Sequence, residues 1–78
     1  MILADFEEHS SEDGMSLYQA RRGDALVCLE FNEQTGEGEL SLYERGEEIG
    51  VCRVTVTDNR VESRNVDVFP VIAGTLNT

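Results

Sequence analysis

The chain contains no lysine and no tryptophan, one histidine, one proline and two cysteines. The missing lysine matters most. Six arginines are the only strong cations against sixteen Asp and Glu, leaving a formal charge of −10 on 78 residues. With no Lys/Arg cluster to displace counterions, direct binding to DNA, RNA or an anionic bilayer is disfavoured. Two cysteines are too few for a disulfide scaffold, and neither a CxxC pair nor a His-rich spacing points to zinc. Cys28 and Cys52 are expected to be free core thiols, with no metal and no cofactor. No apolar run is long enough to cross a membrane. Met1 to Phe6 lacks the basic start and long apolar stretch of a signal peptide. The expected location is the cytoplasm of a bacterial host cell, with no membrane partner.

Size sets a second bound. A chain of this length buries only roughly 60–65% of the surface its unfolded form exposes, so one domain spanning residues 1–78 is expected, with a thin core and no deep substrate cavity. A globule of this length is about 30 Å across. Ten net negative charges over that distance is roughly one per 3 Å, close to the one per ~3.4 Å of a single DNA strand.

What is present reads as β structure. From Ala25 the pattern has period two, with Ala25, Val27, Leu29 and Phe31 on one face and Glu30 and Asn32 on the other. After the turn signal Gln34-Thr35-Gly36, Leu40 and Leu42 point inward from a strand spanning 37–44. Glu37, Glu39, Ser41 and Tyr43 point outward. Arg45-Gly46-Glu47 turns the chain into a strand over 49–57 that sets Cys52, Val54 and Val56 on the core side. Asp58-Asn59 closes the next tight turn. A last strand over 60–69 changes phase, because Val61 matches one face and Val66 and Val68 the other. This predicts a bulge or bend near Ser63 to Asn65, with Pro70 ending the strand and the tail adding a short closing segment.

Before Ala25 two readings compete. Ser10-Ser11-Glu12-Asp13 followed by Arg21-Arg22-Gly23 has the acidic start, basic end and terminal glycine of a short helix. Against it, Ser16 to Cys28 (SLYQARRGDALVC) echoes Ser41 to Cys52 (SLYERGEEIGVC). If both copies are hairpins, residues 15–22 form a strand that turns at Gly23-Asp24. That reading is preferred and gives an all-β antiparallel meander of five or six strands. It closes as a small SH3-like or OB-like barrel, or stays an open sheet that pairs with another copy as a homodimer. An α+β fold with one short N-terminal helix is the alternative.

No arrangement of residues indicates catalysis. His9 is the only histidine and is expected on an exposed loop. Ser10 or Ser11 can be joined to it in a triad only on paper, without a nucleophile elbow or oxyanion loop. Gly36-Glu37-Gly38 carries a carboxylate where a phosphate loop needs bare amides. The expectation is a protein that is not an enzyme.

The acids themselves are the candidate site. Carboxylates two apart on a strand share a face about 6.6–6.8 Å apart, a repulsive repeat that folding does not require. The candidate partner-binding residues are Glu30, Glu37, Glu39, Tyr43, Glu44, Glu47 and Glu48, with Tyr43 as an aromatic anchor beside the charge. A second acidic cluster, Glu7, Glu8, Glu12 and Asp13, lies in the N-terminal segment. Arg21, Arg22 and Arg45 are expected to pair with neighbouring acids, and Arg60 and Arg64 to be free for a partner.

In size, acidity and lack of a catalytic site the chain resembles phage-encoded inhibitors of host defence, such as anti-CRISPR and anti-restriction proteins that mimic DNA. The resemblance is one of class, and carries over no individual residue. It implies a non-enzymatic inhibitor whose acidic surface occupies the basic groove of a nucleic-acid-processing complex. A structural or assembly module pairing through strand edges, or a small protein-binding adaptor, is the alternative.

Overall fold

Tight turns set the frame. In the computed structural model, which describes Met1–Thr78, both residues of Asp13-Gly14, Arg45-Gly46 and Asp58-Asn59 have positive φ. This is the type I′ geometry, whose twist matches that of paired strands. Gly23-Asp24 has positive φ only at Gly23, the type II′ pattern. The strands so joined are β1 (Glu8–Glu12), β2 (Met15–Arg22), β3 (Ala25–Asn32), β4 (Glu37–Glu44), β5 (Glu47–Thr57) and β6 (Arg60–Glu62). They form one antiparallel sheet in sequence order. The all-β meander and the strand over residues 15–22 are therefore present, and the N-terminal helix is not.

The sheet curls into a half-barrel, and its concave face holds the core. Ala20, Val27, Leu29, Leu40, Leu42, Cys52, Val54 and Val61 are buried there. A short helix, α1 (Phe69–Leu76), covers them with Ile72 and Leu76. Burying each large aliphatic side chain contributes roughly 1.5–3 kcal/mol. Only 12 buried hydrophobic residues make this core, so each one matters.

Residues 1–7 bridge the two edges of the sheet. Leu3 N–H donates to Asn59 O at 2.9 Å and Val61 N–H to Met1 O at 2.9 Å, both at the β6 edge. A 3-10 turn follows at Leu3–Asp5. Glu7 N–H then donates to Gln19 O at 2.8 Å beside β2. Arg22 ties these parts together, since its Nε–H donates to Leu76 O at 2.8 Å and its Nη1 to Glu7 Oε1 at 2.8 Å. A helix of eight residues does not hold by itself in water. Arg22 satisfies one of its last carbonyls, while Ile72 and Leu76 anchor its face.

Several local expectations are corrected. Residues 8–12, read as loop, form β1, so His9 is a strand residue whose ring lies against Tyr18 with centroids 4.5 Å apart. The last strand stops at Glu62 with a bend at Arg64, and the tail folds as α1, not as a closing strand. Pro70 falls in the first turn of that helix, where its missing N–H is not needed. The one register shift lies in β5, where Ile49 is the extra residue between Gly50, paired with Leu42, and Glu48, paired with Tyr43. Cys28 is on the convex face, only half-buried, while Cys52 is in the core; both are free. The two echoed segments are both hairpins but lie in opposite phase. Ser16 and Tyr18 face the core, whereas Ser41 and Tyr43 face outward. No helix is long and apolar enough to cross a membrane.

Candidate functional site

The convex face is where the candidate carboxylates meet. In the β3–β4 ladder Glu30 stands directly opposite Glu39, and in β4–β5 Glu39 stands opposite Arg53. Glu37, two residues from Glu39, pairs with Thr55, which in turn faces Glu62 on β6. Glu30, Glu37, Glu39 and Glu62 are all exposed and, with Arg53, Ser63 and Arg64, line one open depression. Directly opposed residues on a sheet have Cβ atoms about 4.5–5.5 Å apart, so Glu30 and Glu39 are held in mutual repulsion.

Gly38 lets the strands approach here. A Cβ at this position would overlap the Glu30 carbonyl oxygen and the Phe31 side chain. The glycine between Glu37 and Glu39 therefore permits the close approach of β4 to β3 that sets Glu39 opposite Glu30.

Neutralisation within the chain is sparse. Two ion pairs form, Arg22 with Glu7 at 2.8 Å and Arg45 with Asp24 at 3.7 Å, and neither involves the convex cluster. Arg53 and Arg64 lie in the same depression without reaching ion-pair distance of its acids. Arg21, expected to pair through its side chain, instead donates its backbone N–H to Glu7 Oε2 at 3.1 Å.

Tyr43, Glu44, Glu47 and Glu48 form a separate group at the β4–β5 turn. The strand rise puts them about 13–24 Å along β4 from Glu37 and Glu39. Tyr43 and Glu48 are paired on the convex face, and the Tyr43 hydroxyl donates to Glu48 Oε1 at 3.4 Å. The Glu48 charge, more than any other neighbour, pushes the Tyr43 phenol above its usual range. Glu44 and Glu47 pair with each other and flank Arg45-Gly46, exposed beyond the end of the core. The structure thus brings together Glu30, Glu37 and Glu39 but separates them from the turn acids. It adds Glu62, which the sequence reading missed, although alternation beside the inward Val61 is a signal that could have found it.

Glu33, in the loop between β3 and β4, serves another purpose. Its Oε1 accepts the hydroxyls of Ser11 and Ser16, each at 2.6 Å, tying the β3–β4 loop to β1 and β2. These two bonds, with a smaller contribution from the nearby His9, hold its carboxyl below the usual range despite some desolvation. Ser16 is the one buried polar residue, and no buried side-chain polar atom lacks a partner. Sequence reading missed this clamp, because serines on β1 and β2 meet Glu33 only once the strands pair. Burial raises the thiols of Cys28 and Cys52 above their ordinary range, the largest effect on each. No group of three or more His, Cys, Asp or Glu side chains is arranged to hold a metal ion.

No family model, curated protein or solved structure matches the chain. The convex face offers hydrogen-bond acceptors and negative charge on a rigid sheet, with half-buried Leu17, Leu26, Cys28 and Tyr43 beside them. Such a face is suited to receiving cationic side chains, which would relieve the repulsion between Glu30 and Glu39.

Proposed function

We propose that the protein is a non-enzymatic inhibitor whose acidic convex face imitates a nucleic-acid strand and blocks the basic groove of a nucleic-acid-processing complex, in the manner of phage anti-defence proteins. The observation that carries the reading is the Glu30–Glu39 pair with Glu37 beside it, opposed in register without an ion-pair partner. The opposition of Glu30 and Glu39 costs the fold stability, and a partner lined with Arg and Lys relieves it. The charge scale agrees. Ten net charges over a longest dimension of 31 Å are spaced like the phosphates of one strand, roughly one per 3.4 Å. Complementary potential also speeds encounter with a basic groove.

The test is capture from a bacterial lysate on the tagged protein, with and without nuclease, followed by elution in a salt gradient. The expected partner is a nucleic-acid-binding complex that arrives stripped of its DNA or RNA and leaves at moderate salt. Glu37→Arg combined with Glu39→Arg should weaken that association at least about a hundredfold, through like-charge contact with the groove. Binding indifferent to both salt and the double reversal would overturn the reading.

A further inference from the structure

The chain covers one edge of its sheet and leaves the other bare. On the β5–β6 side the Ser63 hydroxyl occupies the Arg53 carbonyl, Val68 packs against Gly50, and Met1 and Leu3 bond alongside β6. β1 has β2 on one side and no strand on the other, and all five of its residues, Glu8-His9-Ser10-Ser11-Glu12, are exposed. The two-residue Asp13-Gly14 turn makes Glu12 and Met15 a hydrogen-bonded pair. Alternation then turns the peptide groups of Ser10 and Glu8 toward β2 and those of Ser11 and His9 outward. No other part of the chain bonds these outward N–H and C=O groups.

We propose that the β1 edge takes an extended segment of another protein as a further antiparallel strand, with Lys or Arg at two positions four residues apart. Glu8, Ser10 and Glu12 share the convex face, pairing with Gln19, Leu17 and Met15, so the two acids stand about 13–14 Å apart along the edge. Neither has an ion-pair partner, and no arginine precedes Arg21. Cations placed directly across from both acids meet them at cross-strand range. The residues opposite His9 and Ser11 exchange the four main-chain hydrogen bonds that the edge leaves unmade, the source of affinity in strand addition. A second copy of the chain does not fit. Pairing His9 with Ser11 of another copy sets Glu8 against Glu12 at both ends, between chains that each carry −10. β2 lies between this edge and Glu30, so strand addition here is independent of the inhibitor reading.

The probe is a capped peptide, Thr-Lys-Val-Thr-Val-Lys-Thr, titrated up to about 5 mM into the isotope-labelled full chain at physiological salt and followed by amide NMR. The expected shifts concentrate on Glu8–Glu12, with the His9 and Ser11 amide protons moving downfield and gaining protection from exchange. Methylating both valine amides changes no charge and should weaken binding at least about tenfold, whereas methylating both lysine amides, which face away, should leave it unchanged. Glu8→Lys combined with Glu12→Lys should also weaken it at least about tenfold, and that variant should prefer a peptide with Glu in place of both Lys. Unchanged amide spectra away from β1 establish that the variant is folded. Silence at His9 and Ser11, shifts spread over the convex acids instead, or equal tolerance of both methylated peptides would overturn the proposal. Concentration-dependent shifts at β1 in the protein alone would do so too, by assigning the edge to a second copy.

Discussion

The sharpest residue-scale consequence concerns Glu30, which lies between Leu17 on β2 and Glu39 on β4. Like charges directly opposed on a sheet destabilise it, while no cation is lost when Glu30 is neutralised. Glu30→Gln should therefore raise unfolding stability by a few tenths to about 1 kcal/mol in urea titration while weakening partner capture. A loss of stability would mean that Glu30 has an attractive role the ladder does not reveal. Glu33 should behave in the opposite sense. Its carboxyl is held below the ordinary value of 4.5 by Ser11 and Ser16, so the folded state favours the ionised form. That contribution is complete above the unfolded value and fades as pH falls through the lower folded one. The stability gap between wild type and Glu33→Gln should accordingly be widest near about pH 6 and shrink on acidification. A gap that stays constant with pH would remove the carboxylate from the explanation.

Among the elements, α1 is the most dependent on its surroundings. Eight residues give about two turns, below the length at which a helix persists alone. Its place over the concave face rests on Ile72 and Leu76, both almost fully buried, and on Arg22 at its C-terminal end. Ile72→Ala should cost about 2–5 kcal/mol, through lost burial and the cavity left in the core beneath the helix. Chemical denaturation followed by far-ultraviolet circular dichroism measures it. A cost below about 1 kcal/mol would mean that the sheet keeps its curl without the helix. The hairpins, by contrast, rest on local chemistry, because their turn residues already favour the required backbone.

For the whole molecule the governing quantity is net charge. Sixteen acids and six arginines sit on a body measuring 31 × 25 × 20 Å. Screening shortens from about 30 Å at 0.01 M salt to about 10 Å at 0.1 M, so repulsion across the full molecule is felt at the first ionic strength and much reduced at the second. The melting temperature should rise steadily as sodium chloride increases over that interval, most steeply at the dilute end. A melting temperature that falls with salt would show that the two ion pairs outweigh the surplus of negative charge.

The sequence by itself determined the strands between Ala25 and Thr57 and their inward faces. Period-two alternation from Ala25 to Phe31, Leu40 and Leu42, and Cys52 to Val54 needs no distant information, and the Arg45-Gly46 and Asp58-Asn59 turns fix neighbouring pairings. It also determined the charge. It did not determine the fate of residues 60–78, because a short apolar stretch around Val66, Val68 and Ile72 suits strand or helix equally. The open concave face of the sheet decided in favour of a helix. Nor did it divide the acids. Glu30 and Glu39 lie nine positions apart and meet only through the β3–β4 register, while Glu44 and Glu47 are left at the far turn and Glu33 is drawn away by two serines. Periodicity is a property of one strand, whereas which charges share a surface is set by how strands align, and that alignment belongs to the tertiary structure.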